Sequence, residues 1–70
     1  MITKKGKTIR EKLVEAIWEG FEEVTLLNTL SYKVFYVGDI GFFERNSTSE
    51  TLDQRIVGAE TIGDMLYIFF

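Results

Sequence analysis

Seventy residues allow one domain, and the chain has neither cysteine nor histidine, so disulfides, thiolate sites, imidazole catalysis and histidine metal ligation are all excluded. Hydrophobic residues make up 46% of the chain and aromatic residues 14%, which is too apolar for disorder and enough for a small dense core. The net charge of −3 is unevenly placed: Lys4, Lys5, Lys7, Arg10 and Lys12 stand against Glu11 in residues 1–12, leaving +4, while residues 13–70 carry −7 with Lys33, Arg45 and Arg55 as their bases.

This division fits either a basic arm that meets an anionic partner or a solubilising tail that neutralises an acidic body. Residues 1–7 read as a basic arm and residues 8–70 as a single α+β domain. The arm lacks the unbroken apolar stretch of a signal peptide. No run approaches the roughly 18 apolar residues that span a bilayer. The expected location is the cytoplasm.

The first element is a helix. Thr8-Ile9-Arg10-Glu11 has the form of a capping box, in which a hydroxyl and a carboxylate three residues apart satisfy each other's free backbone N–H groups. Apolar residues come next at Ile9, Leu13, Val14, Ile17, Trp18 and Phe21 and group on one side of a 3.6-residue helix. Glu11, Glu15 and Glu19 form another stripe. Gly20 suits the left-handed residue that ends a helix. Residues 22–27 are either a first strand or the last helical turn, and residues 28–31 read as a loop.

Two turns share one pattern. Val37-Gly38-Asp39-Ile40 and Ile62-Gly63-Asp64-Met65 each place Gly-Asp between apolar residues, a hairpin signal because glycine takes positive φ freely and aspartate tolerates it. Folding at Gly38-Asp39 pairs Val37 with Ile40, Phe35 with Phe42, and Lys33 with Glu44, all favourable neighbours. Folding at Gly63-Asp64 pairs Ile62 with Met65, Thr61 with Leu66, Glu60 with Tyr67 and Ala59 with Ile68. Between the hairpins, residues 46–51 read as a polar loop leading into a strand. Ser47 and Glu50 also have capping-box spacing, so a short helix within residues 48–57 is the alternative. The predicted architecture is one N-terminal amphipathic helix packed on a four- to five-stranded antiparallel sheet built from two Gly-Asp hairpins.

Little in the chain could carry chemistry. The carboxylate row Glu11, Glu15, Glu19 reads as a solvated helix face. Asp39 and Asp64 are explained by their turns. Ser47, Thr48, Ser49 and Thr51 have no base to activate them. An enzyme is not expected, nor a cofactor or metal. Aromatic residues, in contrast, exceed what one short helix can cover. Alternation along the first hairpin leaves Tyr32, Tyr36 and Phe43 on a face opposite Phe35 and Phe42. Trp18 is either a contact anchor or part of the core edge. The expected function is a small non-enzymatic protein-interaction module, acting as an inhibitor or adaptor or as a homodimer through that aromatic face. Small acidic chains of mobile genetic elements that block host factors are the nearest analogy. The alternative is a nucleic-acid-binding regulatory protein that sets Lys4, Lys5, Lys7, Arg10 and Lys12 on phosphates and stacks bases on aromatic rings. The −7 body opposes it.

Overall fold

The computed structural model describes residues 7–70. In chain order they form α1 (Ile9–Trp18), β1 (Glu23–Asn28), β2 (Lys33–Asp39), α2 (Ile40–Asn46), α3 (Ser49–Leu52), β3 (Gly58–Ile62) and β4 (Met65–Phe69). The fold is α+β. The four strands make one mixed sheet in the order β2-β1-β4-β3, with β1 and β4 parallel at its centre and both outer pairs antiparallel. The sheet is therefore neither five-stranded nor wholly antiparallel.

Local chemistry sets the ends of α1. The Thr8 hydroxyl accepts from the Glu11 N–H at 3.2 Å, and the Glu11 carboxylate accepts from the Thr8 N–H at 2.9 Å. At the other end Gly20 takes φ +97°. There the Phe21 N–H reaches the Ala16 carbonyl at 3.0 Å, and the Gly20 N–H reaches Ile17 at 3.1 Å, which closes the last turn. Ile9, Leu13 and Ala16 point into the core. Thr8→Ala is expected to cost about 0.5–2 kcal/mol, the usual loss when an N-cap is removed. A urea midpoint equal to that of the unsubstituted protein would show that the cap does not hold this helix.

The first hairpin turns earlier than its glycine suggests. β1 and β2 are joined through residues 29–32, where the Asn28 carboxamide oxygen accepts from the Leu30 and Ser31 N–H groups at 3.0 and 2.9 Å. Tyr32 then sits at φ 57°, a left-handed conformation rare for a side chain of its size. Gly38-Asp39 is not a turn between strands. Gly38 is the penultimate residue of β2, and Asp39 caps α2, its carboxylate accepting from the Phe42 N–H at 2.7 Å. The expected pairs of Phe35 with Phe42 and Lys33 with Glu44 do not form, because residues 40–46 are helical. The physical reason is the spacing of the apolar residues after the aspartate. Ile40 and Phe43, three residues apart, present one apolar face at helical spacing. Asp39 can cap such a helix, whereas Asp64 leads into a strand.

Residues 49–52 form the short helix α3. Thr48 caps it, accepting from the Thr51 N–H at 3.2 Å, and it buries Leu52. The segment expected to be loop and strand is thus partly helical. At Gly63-Asp64 the chain reverses from β3 to β4, with Ile62 opposite Met65, Glu60 opposite Tyr67 and Ala59 opposite Ile68.

The core lies on one face of the sheet. Val24, Leu26, Leu66, Ile68 and Phe70 meet Ile9, Leu13 and Ala16 of α1, Ile40 and Phe43 of α2, and Leu52 of α3. Alternation puts residues 24 and 26 of β1 and residues 66 and 68 of β4 on this face. A bulge adds to it. Leu26 faces Tyr36 and Leu27 faces Val34, so Phe35 is the extra residue of β2. Phe35 and Tyr36 thereby both turn toward the helices. The Phe35 ring meets Phe70 edge-on at 5.3 Å and Phe43 at 6.3 Å, while Tyr36 lies 4.7 Å from Phe43.

Candidate functional site

The same register defines the other face. Val34 and Val37 of β2, Thr25 and Leu27 of β1, Tyr67 and Phe69 of β4 and Ile62 of β3 alternate with the core residues and point away from the helices. None of them except Thr25 is fully buried. Val34 and Val37 are 56% and 59% exposed. All three helices supply their buried residues to the opposite side. The result is an apolar sheet face without a covering layer among the described residues.

This face is not built from the side chains that simple alternation selected. Phe43 is only 6% exposed and is a core residue of α2. Tyr36 is half-buried against the core, and its hydroxyl donates to the Asp39 carbonyl at 2.8 Å. Burial, and secondarily the nearby charges of Asp39 and Glu23, push that hydroxyl's pKa up. The expectation that Tyr36 and Phe43 share an exposed strand face fails for two reasons: the bulge at Phe35 rotates Tyr36 inward, and Phe43 belongs to a helix. Tyr32 is 91% exposed but lies in the β1–β2 turn. Trp18 is 85% exposed on α1, with Val14 and Ile17 beside it, so the helix carries a second, smaller apolar stripe away from its core side. Tyr32, Tyr36, Phe43 and Trp18 are thus not gathered into one patch.

The residues of the open face had a signal of their own. Strands buried on both faces read as continuous apolar runs instead of alternating ones. β4 with the residue after it reads Met65-Leu66-Tyr67-Ile68-Phe69-Phe70, and β2 contains Val34-Phe35-Tyr36-Val37. Both runs are apolar on the covered side and on the bare one.

The cations behave differently from the expectation of a free basic patch. Lys4 and Lys5 lie outside the described residues. Lys7 and Lys12 both pair with Glu15, the latter at 2.8 Å, and Arg10 pairs with Asp53 at 3.1 Å. The Lys12 and Lys7 ammonium groups hold the Glu15 carboxyl down at about 2, against an ordinary value of 4.5. A carboxyl lowered in the folded state stabilises the fold above its unfolded value, and that contribution disappears as pH falls from about 4.5 toward 2. Glu15→Gln is therefore expected to lose less thermal stability than the unsubstituted protein over that pH window. Parallel losses in the two proteins would show that the Lys7–Glu15–Lys12 cluster is not coupled to folding.

One cleft of about 420 Å³ opens between the α1–β1 loop and the β3–β4 turn, lined by Glu19, Phe21, Glu22, Glu23 and Asp64 among others. Its carboxylates are those of Glu19, Glu22, Glu23 and Asp64. Among the described residues no cluster of acids has metal-binding geometry, and no helix is long and apolar enough to cross a membrane. Compared with protein-family models, with curated proteins and with solved structures, the chain matches none.

Proposed function

We propose that this chain is a small non-enzymatic protein-interaction module that works in the cytoplasm as an inhibitor or adaptor, docking its target on the open face of the sheet. The observation that supports this reading most strongly is the pattern of β2 and β4. Both strands carry apolar residues on both faces, and the helices cover one. Contiguous apolar surface of more than a few hundred Å² is uncommon on proteins that work alone. Val34, Val37, Leu27, Tyr67 and Phe69 are the residues assigned to the contact, with tyrosine well suited to a surface that is alternately wet and buried. Homodimerisation through the same face is the form the interaction takes if the target is a second copy. The nucleic-acid reading is weaker, because Lys7, Arg10 and Lys12 are already engaged by carboxylates and the open face carries the acids Glu23 and Glu60.

The test is affinity capture from lysate of the source cells with three baits: the unsubstituted chain, Val34→Lys/Val37→Lys, and Trp18→Lys. The module docks by its open face if a protein captured by the first bait is lost with the second and kept with the third. Equal capture by the first two, at equal thermal stability, would move the contact elsewhere.

A further inference from the structure

The open face has charge of one sign. Glu60 projects on it beside Tyr67, and Glu23 stands opposite Asp39 where β1 meets β2. Asp64, in the β3–β4 turn, lines the end cleft together with Glu23. The Asp39 carboxylate is held by the Phe42 N–H at 2.7 Å, but none of the ion pairs among the described residues involves Glu23, Glu60 or Asp64. A cation arriving from outside would give these three a partner.

We infer that the open face binds a cationic amphipathic helix of another protein, its apolar side on Val34, Val37, Leu27 and Phe69 and its lysines or arginines toward Glu23, Glu60 and Asp64. This rests on the docking role proposed above and adds the chemistry of the occupant. A helix fits for two reasons. It satisfies its own backbone, so it can lie on an apolar surface that offers no hydrogen bonds, which an extended segment cannot do. Its diameter of about 10 Å also matches a four-strand face, whose three interstrand gaps span roughly 14 Å. A second copy of this chain fits poorly. A second copy would offer the same acids, Glu23 and Glu60, on its own open face and so no complementary charge. Charge complementarity thus selects a foreign, basic partner.

The probes are three fluorescein-labelled peptides of about 14 residues, roughly 21 Å as helices, each with leucines on one side. The other side carries lysine, glutamine or glutamate. Binding is read by fluorescence anisotropy against the unsubstituted protein, Val37→Lys, Val34→Lys, Glu60→Lys and Trp18→Lys, each first checked for a cooperative thermal melt. Val34→Lys serves if Val37→Lys does not fold. The leucine–lysine peptide should bind saturably at one per chain. Its affinity should fall about tenfold or more in Val37→Lys and in Glu60→Lys. It should also fall when salt is raised from about 50 to about 300 mM, and it should stay unchanged in Trp18→Lys. The leucine–glutamate peptide should bind about tenfold more weakly or worse. If the glutamine and glutamate peptides bind as well as the lysine peptide, and only the valine substitutions matter, the face docks helices but the cationic chemistry is overturned. If no peptide responds to either valine substitution, the docking role falls with it. Sedimentation of the unsubstituted chain as a dimer that Val37→Lys dissociates would make the occupant a second copy and also overturn the inference.

Discussion

Replacing Phe43 by alanine is expected to remove about 3–5 kcal/mol of stability, a large part of the roughly 5–15 kcal/mol that holds a domain of ordinary stability. Phe43 is buried at the meeting point of α2 and the sheet, where its ring touches both Phe35 and Tyr36, and Phe35 in turn touches Phe70. Deleting it opens a cavity that three rings and two elements would have to collapse into. Phe42→Ala is the control. Phe42 is mostly exposed, and truncating it should change stability by no more than about 0.5 kcal/mol. Urea unfolding of the two variants separates the alternatives cleanly. A mild Phe43→Ala beside a severe Phe42→Ala would mean that α2 presents its other face to the sheet.

The second large effect is a difference between two glycines in the same short motif. Gly63 lies at φ 62°, and a Cβ added there would meet nothing within 4 Å. Asparagine adopts that left-handed conformation readily, so Gly63→Asn should cost less than about 1 kcal/mol. Gly38 lies at φ 153°, and its Cβ would stand 2.8 Å from the Tyr36 hydroxyl oxygen and 3.1 Å from the ring carbon that bears it. Any side chain there is strained in its backbone and also lifts the Tyr36 ring off the strand, breaking the bond to the Asp39 carbonyl. Backbone strain of about 1–3 kcal/mol and a lost hydrogen bond of about 0.5–1.5 kcal/mol put Gly38→Asn near 2–4 kcal/mol. Chemical denaturation of both variants reads the contrast. Equal costs would mean that the Tyr36 ring does not depend on the bare backbone beneath it.

These two glycines also show where the sequence was readable. At Gly63-Asp64 strand residues lie on both sides, and turn chemistry alone specifies the pairing of Ile62 with Met65 and its successors. At Gly38-Asp39 the letters are the same, but Ile40-Gly41-Phe42-Phe43 continues at a helical period, and a cap outcompetes a hairpin. Cross-strand pairs that look favourable, such as Lys33 with Glu44, carry only a few tenths of a kcal/mol to about 1 kcal/mol and cannot decide between these outcomes. The parallel pairing of β1 with β4 left no local mark, because register between distant strands is set by packing and not by a turn. The open face was legible as an excess of apolar residues, but not by position. The extra residue at Phe35 shifts the alternation of β2 by one, which moves Tyr36 to the covered side and leaves Val34 and Val37 on the bare one.

The parallel seam between β1 and β4 has a consequence for how the chain finds its structure. Each outer strand pairs with a neighbour in sequence, β2 with β1 and β3 with β4, and such hairpins form within about 1–10 μs. The seam joins Val24 to Leu66 and Leu27 to Phe69, partners about 40 residues apart. Closing that distance costs entropy before any contact across the seam offsets it, and the polar stretch from Asn46 to Ser49 lies within the segment that must be closed. The molecule is in this sense two hairpins docked along one line. Its refolding rate is expected to follow that docking step, so that stopped-flow kinetics register the length of the crossover more than the quality of either turn.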